Sequence, residues 1–123
     1  MKLICAPENH PFTGKPDVLD VVLYGRADRP TRGNAGAAVK DGIAGLTLHT
    51  APRAWDLLSL ALAVTVADLA GHRTASPDGW TREFDLQVAV ADPAFWNTQQ
   101  DLIQQFLGFL TTDLWRLCAR GAA

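Results

Sequence analysis

Four charged residues in the second half of the chain are the candidates for acid–base or ligand-binding chemistry: Asp68, Arg73, Arg82 and Asp92. Carboxylates can transfer protons, and guanidinium groups can bind anionic groups of a substrate. A catalytic site would also need a base or nucleophile, and no His, Cys or Ser stands in a recognisable constellation with these four residues. A small-ligand site or stand-alone enzyme built on them is therefore one alternative for the function.

Asp68 also has a structural interpretation. It falls near the C-terminal end of an apolar helix, where the dipole disfavours an anion and an unpaired buried carboxylate is costly. Arg73 is close in sequence, and Arg82 falls on the apolar face of a strand beside Trp80 and Phe84. We expect Asp68 to pair with Arg82 or Arg73, mainly as part of the structure.

The sequence contains no motif for metal, redox or phosphate-loop chemistry. Cys5 and Cys118 stand far apart without a C-x-x-C pair or a His at ligand spacing, so we expect reduced structural thiols and no metal. The Gly-rich segment 25–42 matches neither G-x-x-x-x-G-K-S/T nor G-x-G-x-x-G, and we interpret it as a flexible loop. No cofactor is predicted.

The longest apolar stretch predicts a buried helix from about Pro52 to Gly71, around which the rest of the chain packs. Asp92 followed by Pro93 predicts a second, amphipathic helix over residues 93–110. Its predicted buried stripe consists of Trp96, Leu102, Ile103, Phe106, Leu107 and Leu110. Alternating or β-branched runs predict strands at residues 2–6, 18–24, 43–49 and 80–90. After Asp113 the chain could continue the helix, since Leu114 and Leu117 keep helical spacing, or form a last strand, which we favour.

These elements predict a single α+β domain spanning residues 1–123. We expect a mainly antiparallel sheet of about five strands packed against two helices, about 52–71 and 93–110. A length of 123 residues with 48% hydrophobic composition fits one domain with a real core.

Charge argues against a nucleic-acid partner. The net charge is −2, so the chain lacks the basic footprint that phosphate binding rewards. A nucleic-acid module using Arg26, Arg29, Arg32 and Lys40, with tryptophans as stacking surfaces, is a further alternative.

Hydropathy argues against a membrane partner. Asp56 and Asp68 interrupt the longest apolar stretch, and a charge there disfavours insertion as a spanning helix. The apolar run after Lys2 is too short for the core of a signal peptide. We therefore expect a cytoplasmic protein.

The four tryptophans divide into two pairs. Trp55 and Trp96 fall on apolar helix faces and are expected in the core. Trp80 and Trp115 fall at strand starts, where an exposed indole could anchor an interface. Together with Arg73 and Arg82, they are the candidates for contacts with a partner.

Three segments of the second half carry a family pattern. A helix holds Asp56, Leu57, Leu58, Ala67 and Asp68; a strand and the turn after it hold Trp80, Arg82, Val90, Asp92, Pro93 and Trp96. The third segment holds Phe109, Leu110, Thr111, Asp113 and Trp115, with Thr112 in place of a Gly. In order and spacing, residues 52–118 resemble the region ahead of the catalytic domain in QueC-like proteins of bacterial anti-phage systems, which are relatives of 7-cyano-7-deazaguanine synthase.

This resemblance implies an α+β accessory domain without its own enzyme activity. In the family, the ATP-pyrophosphatase chemistry belongs to a Ser-Gly-Gly-x-Asp-Ser phosphate loop, which this sequence lacks. The expected function is an interaction module that packs on a QueC-like catalytic domain, in cis or as a separate subunit, or that recruits other defence proteins. Association with further copies of itself is a further expectation.

Overall fold

The computed structural model describes residues 1–11, 13–26, 32–46 and 49–121. Within these residues the strands are β1 (Lys2–Ala6), β2 (Val18–Leu23), β3 (Gly33–Ala35), β4 (Glu83–Val90) and β5 (Leu114–Gly121). The helices are α1 (Ala37–Gly45), α2 (Pro52–Ala70), α3 (Pro93–Thr98) and α4 (Gln100–Thr111), with a 3-10 turn at Arg73–Ala75.

The five strands form one sheet in the order β3-β2-β1-β4-β5, and each neighbouring pair is parallel. The expected antiparallel sheet is therefore wrong, as is the expected number of two helices. Parallel neighbours need long connections that return the chain to the same end of the sheet. Helices α1 and α2 provide this return between β3 and β4, and α3 and α4 provide it between β4 and β5.

Strand β4 shows why the sequence suggested an antiparallel strand. Its residues Phe84, Leu86, Val88 and Val90 are buried, whereas the residues between them are partly or fully exposed. Parallel strands are usually covered on both faces and then read as continuous apolar runs. Here α2, α3 and α4 form a helix layer on one face of β4, so the strand alternates as an antiparallel strand would.

The core lies between the sheet and this single helix layer. It forms one contiguous cluster to which α2 contributes Leu60, Ala63 and Ala67 and α4 contributes Leu107. The sheet contributes Leu3, Cys5, Val21, Leu23, Phe84, Leu86, Val88, Val90, Trp115, Leu117 and Ala119. The expected wide burial of α2 is only partly realised, because Leu57 and Leu69 are exposed.

The segment expected to be a Gly-rich loop contains regular structure. Strand β3 and the first half of α1 fall within 25–42, and α1 replaces the beginning of the strand expected at 43–49. Residues 27–31 and 47–48 of these two expected segments lie outside the described residues. Gly36 precedes α1 with a φ of 88°, and a Cβ there would lie 2.6 Å from Leu62 Cδ1, so both backbone and space require glycine.

The second expected helix is divided between α3 and α4, which meet at Gln99. Asp92 starts α3 by accepting a hydrogen bond from the Phe95 amide at 3.2 Å. The chain leaves α4 at Thr112, which has a φ of 61°, and enters β5. Among the described residues, none of the helices combines the length and the hydropathy that crossing a membrane requires.

Candidate functional site

The charged residues singled out by sequence are brought together in part. Arg82, Asp68, Arg73 and Asp113 form a cluster where β4 and β5 begin. Arg82 Nη2 lies 2.7 Å from both Asp68 Oδ1 and Asp113 Oδ2, and Arg73 Nη1 lies 3.0 Å from Asp113 Oδ1. Asp113 therefore forms ion pairs with both arginines. Nothing in its sequence position indicated that it is a partner of Arg82.

Burial divides the two carboxylates of this cluster. The side chain of Asp113 is 0% exposed and that of Asp68 is 57% exposed. Burial alone would raise the pKa of Asp113, but the hydrogen bonds from Arg82 and the charges of Arg82 and Arg73 outweigh it and lower the pKa. The pKa of Arg82 is raised, chiefly by its hydrogen bonds to Asp113. Both groups therefore stay charged and act as a structural pair.

The guanidinium of Arg82 has no free donor. Nε donates to Asp113, Nη2 donates to Asp113 and Asp68, and Nη1 donates to the backbone oxygens of Asp68 and Gly71 at 3.0 and 3.1 Å. Through these hydrogen bonds, Arg82 connects the C-terminal end of α2 with the starts of β4 and β5. A fully used guanidinium cannot also hold an anionic substrate.

Asp92 does not join this cluster. It follows the carboxyl end of β4, whereas Arg82 precedes the amino end of the same strand. Eight residues of strand separate them, which corresponds to roughly 26 Å at about 3.3 Å per residue. The Arg53 guanidinium lies 3.6 Å from its carboxylate. The predicted set of four charged residues is thus divided between opposite ends of the sheet.

The two tryptophans expected at interfaces have different environments. Trp80 is exposed at the amino edge of the sheet, with the Arg73 guanidinium 4.6 Å from its ring centre. Trp115 is buried, stacks on Phe84 with ring centres 4.5 Å apart, and donates its indole N–H to Thr111 Oγ1 at 2.8 Å. Trp115 is therefore a core residue, and only Trp80 is available to a partner.

At the other end of the sheet, where the strands have their carboxyl ends, Asp56 is buried and both oxygens of its carboxylate accept hydrogen bonds. It accepts hydrogen bonds from the amides of Ala91 and Asp92 and from Trp96 Nε1, at 2.7 to 3.1 Å. It lines a cleft of about 530 Å³ at the carboxyl ends of β1, β2 and β4, where Tyr24 shares a hydrogen bond of 2.7 Å with Ser59. Asp56, Tyr24 and Ser59 thus all have hydrogen-bond partners within the domain.

The surface that sequence analysis missed is an apolar groove between α2 and α4. Its lining includes Leu57, Ala61 and Val64 of α2 with Leu102 and Phe106 of α4, and its volume is about 500 Å³. We call these five residues the helix face. Leu102 and Phe106 were expected to be buried but are 61% and 46% exposed, and Leu110 is also exposed.

The orientation of α4 explains this exposure. Leu107 packs into the core, and Gln104 Oε1 accepts a hydrogen bond from the Leu117 amide at 2.9 Å. Turning this side toward the sheet leaves Leu102 and Phe106 directed outward. The apolar periodicity was real, but much of the apolar stripe faces away from this domain's core.

The outer edge of β5 is closed by side chains of α3 and α4. Asn97 donates to the Ala119 carbonyl at 3.1 Å and accepts from the Ala119 amide at 2.9 Å, as a neighbouring strand would. Gln104 Oε1 accepts a hydrogen bond from the Leu117 amide of the same strand. Another chain cannot add to this edge without displacing these residues.

Searches of protein-family models, curated proteins and solved structures found no match to this chain.

Proposed function

We propose that this chain is a non-catalytic interaction module, namely the N-terminal accessory domain of a QueC-like ATP-dependent anti-phage protein that works in the cytoplasm. Its helix face docks on the QueC-like catalytic domain, either in the same polypeptide or as a separate subunit. The observation that carries the proposal is the exposed apolar groove between α2 and α4.

The size of this apolar surface supports docking. Full burial of a Leu or Phe side chain contributes about 1.5 to 3 kcal/mol. Leu57, Leu102 and Phe106 are largely available for such burial because the domain's own core does not use them. Exposed apolar side chains gathered along one groove are typical of protein interaction sites.

The residues that carry the family resemblance also support a module without turnover. Asp56 holds the turn after β4, Arg82 and Asp113 join the starts of two strands, and Asp92 caps α3. Each uses its polar atoms within the domain. The alternative of a ligand site on Asp68, Arg73, Arg82 and Asp92 loses support, because Asp92 lies at the far end of β4 from the other three.

The test is binding to the QueC-like catalytic polypeptide encoded with this chain, purified separately and titrated by calorimetry. We expect Leu102→Asp combined with Phe106→Asp to weaken binding by at least about tenfold, or 1.4 kcal/mol. Val39→Asp is the matched control, because Val39 is an exposed apolar residue on α1, away from the groove. Equal binding by all three proteins, or no binding by the unmodified chain, would contradict the proposal.

A further inference from the structure

The sheet has a second face that the helix layer does not cover. On β4 this face carries Glu83, Asp85, Gln87 and Ala89, and on β5 it carries Leu114, Arg116, Cys118 and Arg120. We call these eight residues the open face. All four β5 members and Glu83 are exposed. Over β2 the same face is covered, because Asp20 and Val22 are buried, so the open part lies over β4 and β5. Parallel sheets occur almost always with both faces covered, which makes this open part unusual.

The charges on the open face are sorted by strand. The carboxylates Glu83 and Asp85 lie on β4, whereas the guanidinium groups of Arg116 and Arg120 lie on β5. The register of the two strands pairs Asp85 with Arg116 at the same height. The acidic residues of β4 thus form a column beside the column of basic residues on β5. Asp85 and Arg116 lie at the same height in the two columns.

We propose that the open face binds the open face of a second copy of this chain, related by a two-fold axis that runs along the strands between β4 and β5. Such an axis keeps all strands parallel and places β4 of each copy over β5 of the other at the same height. Asp85 of each copy then faces Arg116 of the other. The interface contains this pair twice, as a two-fold interface requires.

The dimensions of packed sheets agree with this arrangement. Sheets that pack face to face lie about 10 Å apart. A short Asp side chain opposite a long Arg side chain fills that distance. The same axis places Gln87 opposite Cys118 of the second copy, between the levels of Arg116 and Arg120.

The sorting of charge favours a second copy over other partners. A nucleic acid would meet the carboxylates of Glu83 and Asp85 together with the arginines. A partner of uniform charge would be repelled by one of the two columns. A second copy turned by the two-fold axis places Asp85 opposite Arg116 twice, whereas Glu83 lies opposite Leu114 and Arg120 lies opposite Ala89.

The experiment is a charge-reversal exchange measured by sedimentation equilibrium at low ionic strength. We expect the unmodified chain to form dimers, and Asp85→Arg and Arg116→Asp each to raise the dimer dissociation constant by at least about tenfold. An equimolar mixture of the two variants should form a heterodimer, because each then offers the charge that the other requires. Circular dichroism confirms that each variant is folded.

A control variant separates this proposal from the proposed function. Leu102→Asp combined with Phe106→Asp alters the helix face and should leave dimer formation unchanged. Loss of the dimer in that variant would show that the helix face mediates self-association and would overturn the proposal. A monomeric unmodified chain, dimers that both single variants preserve, or failure of the mixture to pair would also overturn it.

Discussion

Arg82 and Asp113 join the starts of β4 and β5 by three hydrogen bonds. The Arg82 amide donates to Asp113 Oδ1 at 2.9 Å, and Arg82 Nε and Nη2 donate to Oδ2 at 3.1 and 2.7 Å. The two residues are 31 positions apart in sequence, so this pair fixes how the helical connection between the strands closes. Both are buried.

This geometry predicts unequal effects for the two carboxylates that contact Arg82. Asp113→Ala should lower the free energy of unfolding by about 3 to 5 kcal/mol, because it strands a buried guanidinium. Asp68→Ala should cost no more than about 1 kcal/mol, since the carboxylate of Asp68 is largely exposed and its removal leaves Asp113 in place. Urea denaturation of both variants measures the difference. Equal losses would contradict the assignment of Asp113 as the principal partner.

The lowered pKa of Asp113 predicts an acid-sensitive contribution to stability. The contribution is fully present above the ordinary value of 3.8 and is lost as pH falls through the lower pKa of the folded state. Asp113→Asn imitates the protonated carboxyl group. The stability difference between the unmodified chain and this variant should therefore shrink as the pH is lowered from about 7 to about 2. A constant difference over that range would argue against it.

The two cysteines should differ in reactivity. Cys118 is exposed, whereas burial, with a smaller contribution from Asp20, raises the pKa of the Cys5 thiol from 9.0 to about 12. In protein diluted below the dissociation constant of the proposed dimer, we expect a thiol reagent at mildly alkaline pH to modify one cysteine per folded chain, and two after unfolding. Mass spectrometry of the labelled peptides identifies the site. Rapid labelling of Cys5 in the folded protein would contradict its placement in the core.

Cys5 also predicts an alkaline loss of stability. Its protonated form is favoured in the folded state, so its contribution is present below the unfolded value near 9.0 and is lost as pH rises toward about 12. The slope approaches about 1.4 kcal/mol per pH unit in that window. Cys5→Val removes the thiol and should remove this component of the slope, which chemical denaturation at several pH values can determine.

The chain alone should not produce AMP and pyrophosphate from ATP. The sequence contains no Ser-Gly-Gly-x-Asp-Ser phosphate loop, and the polar groups of Asp56, Arg82 and Asp113 are engaged within the domain. Chromatographic analysis of nucleotides after incubation with purified protein provides the measurement. Formation of AMP in proportion to protein concentration would refute the proposal of a non-catalytic module.

Local signals in the sequence were sufficient for several elements. Pro52 and the apolar run after it placed α2, Asp92 with Pro93 placed the start of α3, and the break before Leu114 placed β5. In contrast, strand direction depends on connections between distant segments, and an alternating strand is compatible with either direction. The helix at 37–45 was missed because its glycines and small residues resemble a loop.

The candidate site was predictable only for residues whose chemistry is unusual for their position. Arg82 on an apolar strand face indicated a buried partner, but sequence gives no measure of distance between remote residues, so Asp113 could not be recognised as that partner. The apolar period of α4 was visible in Leu102 and Phe106. Periodicity does not state whether such residues face the domain's own core or a partner, so the helix face could not be recognised.

The side chains of Asn97 and Gln104 give the sheet a defined end. The backbone amides of Leu117 and Ala119 at the outer edge of β5 donate hydrogen bonds to Gln104 and Asn97, and Asn97 donates one to the Ala119 carbonyl. In their absence, that edge would offer a template on which extended segments of other molecules could accumulate into fibrils. Two uncharged side chains thus occupy hydrogen-bonding positions to which another strand could otherwise add, a role that lysines or prolines commonly have at a sheet edge.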